Sequence, residues 1–196
     1  MATRILQWAK KLPERTPFTA KELLHLGHRA AVDQALSRLV RCGKLQRAVR
    51  GLYVLPVAGT FGARQPSPAK VVAKIAEERG EPLVLHGASA ANMLGLSTQQ
   101  PGRPIYLTPG RSRQFEVANQ VIEFRHAPRW QLMFPNRPAG NVLRALAWLG
   151  PEKTIEAVGE VRQRVSRNER EALLSVRHQM PTWLAEGISA LATNAT

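Results

Sequence analysis

Residues 19–55, TAKELLHLGHRAAVDQALSRLVRCGKLQRAVRGLYVL, determine which fold the N-terminal part of the chain can adopt. Within this stretch, residues 29–41 repeat apolar side chains at helical spacing, on one stripe formed by Val32, Leu36, Leu39 and Val40. Gly43 follows and is typical of a helix C-terminal cap. The pattern predicts a short amphipathic helix whose other side is polar and basic.

Two shorter helices are predicted before this one. Residues 3–12 carry apolar side chains on one helical face, and Pro13 ends the run. Thr19 and Glu22 have the spacing of a capping box, which predicts a second helix through about residue 24. Gly27 then permits a turn into the third helix.

A hairpin is predicted after the third helix. Residues 44–47 and 51–55 are expected to pair, with Arg50 and Gly51 near the tip. Helix, turn, basic helix and arginine-tipped hairpin in this order are typical of a winged helix-turn-helix DNA-binding domain, which we expect over residues 1–56.

The rest of the chain is predicted to form a mixed α/β domain. Residues 57–67 mix proline, glycine and small residues without a sustained period and predict a linker before a domain over 68–196. That domain is expected to contain helices at 68–79 and 86–94, a small sheet from 105–108 and 117–124, and further helices from Asn141, with breaks near Gly150, Ser166–Asn168 and Pro181. The predicted fold class is α+β, mostly helical.

Composition narrows the range of possible functions. The net charge of +14 over 196 residues favours a polyanionic partner. Residues 1–56 carry 11 basic and 3 acidic side chains, so positive charge is concentrated there. The single cysteine, Cys42, excludes an intrachain disulfide, and no apolar run approaches the roughly 20 residues of a membrane span. The N-terminal segment lacks the pattern of a secretory signal, and we expect a cytoplasmic protein.

Eight polar or basic residues of the third helix and the hairpin are candidates for DNA contact. In the helix, the Arg38 side chain can form two hydrogen bonds with one guanine, and the Gln34 side chain can form two with one adenine. Ser37 is short enough to approach a base edge. Arg29 and Arg41, at the two ends, are expected to bind phosphates. The hairpin contributes three cations that suit the minor groove or the backbone: Lys44, Arg47 and Arg50.

Catalysis is disfavoured because the required groups are missing. The chain has one aspartate, Asp33, and no carboxylate cluster that would hold magnesium. It also lacks a Walker motif, a GxGxxG and a GxSxG elbow, so we expect no enzyme activity and no cofactor. His25 and His28 are spaced for a shared metal, but they flank the turn at Gly27, and we expect no metal there. His86 is explained as a helix cap.

A second basic concentration lies near the C-terminus, where arginines at 162, 164, 167, 170 and 177 alternate with glutamates at 160, 169 and 171. Two interpretations remain open: a salt-bridged, solvated face, or a second surface for nucleic acid or a partner.

The chain resembles a known family in two segments. Residues 28–56, HRAAVDQALSRLVRCGKLQRAVRGLYVLP, are similar to the N-terminal winged helix of the AbiEi-like antitoxins of bacterial type IV toxin-antitoxin systems, in the cadence SRLVxxGKLxRxxRGLYxxP. The order that follows is also similar, with a SPAKVVAKIAEERG helix and then LHGASAANMLGLS.

The resemblance implies a DNA-binding antitoxin that represses its own operon at inverted repeats and counteracts a neighbouring nucleotidyltransferase-like toxin, without a stable complex being required. It places DNA contacts at Arg29, Gln34, Ser37, Arg38, Arg47 and Arg50. Two alternatives are a plain winged-helix transcriptional regulator with a ligand-sensing or oligomerisation domain, and a nucleic-acid enzyme, against which the single aspartate weighs.

Overall fold

The structure, a computed structural model, describes residues 1–59, 62–64, 66–99, 101–117 and 119–192. The chain forms two compact units: residues 1–80 with 114–122, and residues 81–113 with 123–196. Helices account for more residues than strands, so the predicted α+β class, mostly helical, is confirmed.

Two α-helices and a short 3-10 helix surround the core of the first unit. They are α1 (Ala2–Ala9), the 3-10 helix Lys21–Leu26 and α2 (Arg29–Arg41). The core gathers one apolar side from each of these elements and from the strands: Ile5, Ala9, Phe18, Ala20, Leu23, Val32, Ala35, Leu36, Leu39, Leu45 and Tyr53. The apolar stripe predicted for the third helix is therefore the buried side of α2, although Val40 is only partly buried.

The prediction that Thr19 caps a second helix is wrong. Thr19 belongs to strand β1 (Phe18–Thr19) and pairs with Leu52, and the residue that precedes the 3-10 helix is Ala20, which makes no side-chain cap bond. Only one half of the capping box forms: the backbone N–H of Thr19 donates to Glu22 Oε1 at 2.8 Å, and the Thr19 hydroxyl donates to the same atom at 3.1 Å. Gly27 is extended, with φ 163° and ψ 176°, a conformation open to any residue.

The predicted hairpin is confirmed, but its first strand lies two residues later than the predicted 44–47 and its second strand is shorter than the predicted 51–55. Strands β2 (Gln46–Val49) and β3 (Leu52–Val54) are antiparallel, and β1 joins the other edge of β3 to give the order β1-β3-β2. The chain reverses at Arg50 and Gly51, where Gly51 has a φ of +87° that favours glycine.

The first unit extends beyond the predicted linker. Strands β4 (Val57–Gly59) and β5 (Gly62–Arg64) pair antiparallel, whereas residues 60, 61 and 65 of the predicted linker lie outside the described residues. Helix α3 (Pro68–Arg79) has the predicted bounds, with Ser67 as its N-cap, but it belongs to the first unit. The compact units therefore divide at Gly80 instead of at 57–67.

An ion pair joins α3 to the rest of the first unit. Lys74 Nζ lies 3.1 Å from Glu22 Oε2 and 3.1 Å from Glu77 Oε2. Burial alone would lower the pKa of Lys74, but its hydrogen bonds to the two glutamates outweigh that cost and raise the pKa. Glu22 thus bonds both Thr19 and the side chain of Lys74 in α3.

A sheet is present in the second half and contains more strands than expected. The prediction of a single strand over 117–124 is wrong, because one strand ends at Val117 and the next begins at Gln120. Strands β6 (Val84–Leu85), β7 (Ile105–Thr108), β8 (Arg113–Val117) and β9 (Gln120–His126) have the order β6-β7-β9-β8. β7 and β9 are parallel, with Tyr106 opposite Phe124.

Helix α4 (Gly87–Met93) follows β6 and packs closely on α5 (Pro138–Arg164). A Cβ at Gly87 would collide with the backbone oxygen of Arg144 and with Cβ of Trp148, so only glycine fits. His86 caps α4 as expected, with Nδ1 accepting from the N–H of Ala88 at 3.2 Å. Burial lowers the pKa of His86, and nearby Arg125 lowers it further.

The C-terminal helices break where the sequence predicts. α5 changes direction at Gly150 (φ 82°, ψ 173°), α6 (Arg167–Ser175) begins after Ser166, and α7 (Thr182–Ser189) begins after Pro181. Glu169 of α6 bonds the first turn of α5, accepting from the N–H of Ala139 at 2.9 Å and pairing with Arg137 at 3.0 Å. No helix among the described residues is long and apolar enough to cross a membrane.

Candidate nucleic-acid interface

The exposed side of α2 is the centre of the candidate interface. Residues at spacings of four, three and four lie above one another on a helix, which aligns Ala30, Gln34, Ser37 and Arg41 opposite the buried stripe. All four are exposed. We call these four residues the α2 stripe. Helical rotation puts Arg29 to one side of the stripe and Arg38 to the other.

Both ends of α2 are fixed by local bonds. At the start, His28 Nδ1 accepts from the N–H of Ala31 at 3.3 Å. At the end, Gly43 has a φ of +68°, Gly43 N–H donates to Val40 O at 3.0 Å, and Lys44 N–H donates to Leu39 O at 2.9 Å. This pair of bonds is a Schellman motif, and it confirms Gly43 as the cap residue. The chain then leads directly from the exposed end of α2 to Lys44 and β2.

His25 and His28 each make a local hydrogen bond beside the turn at Gly27. His28 is occupied as the N-cap, and His25 Nδ1 lies 2.8 Å from the carbonyl oxygen of Glu22. Within the part of the chain that the structure describes, no group of three His, Cys, Asp or Glu residues is arranged to hold a metal ion.

The β2–β3 hairpin has a buried strand, β3, and presents its basic side chains to solvent. Ala48, Leu52, Tyr53 and Val54 are buried, whereas Arg47 and Arg50 are exposed. The register shifts between Arg47 and Val49, which marks a bulge in β2. Tyr53 packs against Phe18, with the ring centroids 6.3 Å apart, and lies in the core with α2.

A shallow recess joins the helix to the hairpin. Ser37 and Val40 of α2 and Arg47 and Tyr53 of the hairpin line a volume of about 180 Å³. Predicted contact residues from two different elements therefore share one surface.

All eight predicted contact residues are exposed. They lie on α2, at its C-terminal turn and on the hairpin, at Arg29, Gln34, Ser37, Arg38, Arg41, Lys44, Arg47 and Arg50. Asp33 is the only acidic residue between Glu22 and Glu77, and it pairs with Arg29. Among the described residues, no carboxylate pairs with the other five cations of this set, so the surface carries a strong positive field.

Two features of this surface were not predicted from the sequence. Ala30 lies in the α2 stripe, where a small side chain allows close approach of a partner, and its spacing of four from Gln34 was the available signal. The recess is the other, because only the folded chain brings Arg47 to Ser37.

The C-terminal arginines behave differently from Arg38 and Arg41 of α2. Arg164 pairs with Glu160 at 3.0 Å, Arg167 with Glu171 at 2.8 Å, and Arg162 Nη2 donates to the carbonyl of Ala190 at 2.7 Å. These contacts favour the interpretation as a salt-bridged face. The cationic surface of α2 and the hairpin is the better candidate for a polyanion.

The fold and this surface define an α+β protein with an exposed cationic helix and hairpin. Residues 4–174 match a family model described as a family of unknown function (DUF6088), so the chain belongs to that family. The chain is similar in fold to the crystal structure of the RV2827C protein from Mycobacterium tuberculosis, with a TM-score of 0.51 and 22% identity over 97% of this chain and 75% of that chain. No curated protein matches the chain.

Proposed function

We propose that the chain is a sequence-specific double-stranded DNA-binding protein, and that residues 1–56 act as a winged helix-turn-helix. The observation that carries the proposal is the exposed cationic side of α2 beside the Arg47–Arg50 hairpin, joined by the recess at Ser37. In this arrangement α2 is the recognition helix and the β2–β3 hairpin is the wing.

The chemistry of each side chain assigns its part in binding. The α2 stripe enters the major groove, where the amide of Gln34 matches adenine and the Ser37 hydroxyl approaches a base edge. Arg38 lies to the side of the stripe and Arg41 at the C-terminal end of α2, so we assign both to phosphates at the groove walls. For Arg38 this replaces the guanine contact expected from the sequence. Arg47 and Arg50 of the wing follow the backbone or the adjacent minor groove.

The regulatory part of the proposal comes from the sequence resemblance. AbiEi-like antitoxins repress their own operon and counteract a nucleotidyltransferase-like toxin, and we propose the same two activities for this chain. DNA binding belongs to the first unit, and the antitoxin activity belongs to the second.

A reporter assay tests repression. The DNA upstream of the gene is fused to a reporter, and the full-length chain is supplied in trans. Wild type is expected to lower expression, and Gln34→Ala with Arg41→Ala to restore it. Lys10→Ala with Lys11→Ala is the control, since it alters two exposed residues outside the interface. Autorepression is contradicted if wild type leaves expression unchanged. It is also contradicted if the interface variant and the lysine control lose repression equally.

A toxicity assay tests the antitoxin activity. The neighbouring gene is induced with and without the full-length chain, and growth is compared. The variant expected to lose DNA binding, Gln34→Ala with Arg41→Ala, is expected to rescue growth as well as wild type does. Point variants suit this test better than a fragment beginning near Ser67, because residues 68–80 and 114–122 belong to the first unit. Repression without rescue favours the plain regulator.

A further inference from the structure

The single aspartate of the chain lies inside its most basic surface. Asp33 is one helical turn after Arg29 on α2, and Arg29 Nε donates to Asp33 Oδ2 at 2.8 Å. The two side chains are 64% and 46% exposed, so the pair is open to an incoming partner. A carboxylate here repels DNA, and its presence requires an explanation.

Helix stability does not explain the pair. Exposed pairs at this spacing contribute only about 0.3–0.5 kcal/mol. The order of charges is also the less favourable one, because the cation stands in the first turn, where the helix dipole disfavours positive charge. A pair selected for stability would have the acidic residue first.

The geometry of the bond explains it better. Asp33 accepts a hydrogen bond from the Nε–H of Arg29, so the Nη1 and Nη2 hydrogens remain free at the end of the guanidinium. Two donors side by side at this end match the O6 and N7 acceptors of guanine. Holding Nε also fixes the direction of a long, flexible side chain, which lowers the entropy lost on binding.

We propose that Arg29 reads one guanine in each binding site, in place of the phosphate contact expected from the sequence, and that Asp33 is its positioning residue. The first residues of a recognition helix are those that contact base edges, and Arg29 is the first residue of α2. This inference rests on the proposed DNA binding.

Selection from a pool of randomised duplexes tests the inference without knowledge of the operator. Wild type, Arg29→Lys, Asp33→Ala and Asp33→Asn are each allowed to enrich sequences, and base preferences are compared position by position. Arg29→Lys keeps the charge but loses the paired donors, so preference for guanine at one position should fall by about 5- to 150-fold. Asp33→Ala should weaken the preference at the same position.

Affinity for unselected DNA separates positioning from charge. Asp33→Ala removes a negative charge, so it should bind unselected duplex at least as tightly as wild type while losing preference. Asp33→Asn keeps an acceptor and should retain part of the preference. The double variant, Arg29→Lys with Asp33→Ala, should lose no more guanine preference than Arg29→Lys alone, since both changes disable one contact. Arg4→Lys is the matched control, because Arg4 is an exposed arginine of α1 outside the interface, and it should leave that position unchanged.

The outcomes are distinguishable. Duplex binding with preferences unaffected by Arg29→Lys overturns the inference alone. Loss at a different position in Asp33→Ala also overturns it, because Asp33 would then contact a base directly. Failure of wild type to bind duplex DNA overturns the proposed function together with the inference. Circular dichroism melts of each variant identify any loss that comes from unfolding.

Discussion

Removing the two wing arginines tests how the hairpin meets DNA. Arg47 and Arg50 are exposed and have no carboxylate partner among the described residues, so both are available for phosphate. Removing one bond to a phosphate lowers the slope of log affinity against log salt by about 0.9. Arg47→Ala with Arg50→Ala should therefore lower the slope by about 1.8.

The effect is large enough to measure by fluorescence anisotropy. Across a fourfold rise in salt, from about 50 to 200 mM, a slope change of about 1.8 means that wild-type affinity falls roughly tenfold more than that of the variant. Lys10→Ala with Lys11→Ala removes the same charge from exposed positions outside α2 and the wing, and its slope should stay near wild type. Equal slopes for wild type and the wing variant, or an equal change in the control, would refute binding of the wing to the backbone.

Three further variants test other parts of the structure. Gln34→Ala should cost about 1–3 kcal/mol of discrimination between cognate and scrambled duplex, because the amide is removed from the α2 stripe; equal weakening on both duplexes in a gel shift would deny base reading. Gly87→Val should lower the free energy of unfolding in urea by about 1–3 kcal/mol, since the added atoms meet α5; an unchanged free energy would deny the close packing. Glu169→Gln should lower stability at pH 7, because the N–H of Ala139 and the side chain of Arg137 hold the pKa of this carboxyl below its ordinary value. Its contribution is present above that value and is lost as pH falls through the folded-state pKa, so wild type should lose more stability than the variant on acidification.

Features set by neighbouring residues could be predicted closely from the sequence. The bounds of α2 and its cap at Gly43 follow from a local apolar stripe and a glycine whose positive φ suits a helix end. The breaks at Gly150 and Pro181 follow in the same way.

Features set by distant residues could not be predicted. Strand β1 exists because Thr19 pairs with Leu52, and this partner lies far along the chain. The assignment of α3 to the first unit involves the bond between Lys74 and Glu22. Arg144 is 2% exposed in the first half of α5, where it donates to the carbonyls of residues 131 and 133, whereas composition alone places arginine at the surface.

The candidate site shows the same division. The exposed, basic side of α2 follows from helical periodicity, and every residue expected there is exposed. The recess between Ser37 and Arg47 and the direction of the Arg29 guanidinium follow only from the folded structure. The spacing of four between Arg29 and Asp33 is visible in the sequence, but spacing alone does not say which guanidinium nitrogen the carboxylate takes.

A competition titration tests sequence-specific binding of double-stranded DNA most directly. The purified full-length chain is bound to labelled duplex from the region upstream of its gene at about 150 mM salt, in the physiological range where specific and non-specific affinities separate. Unlabelled upstream duplex, scrambled duplex of the same composition, and single strands then compete. We expect the upstream duplex to compete at least about 10³-fold better than the scrambled one. Equal competition by both duplexes, or stronger competition by single strands, would contradict sequence-specific duplex binding.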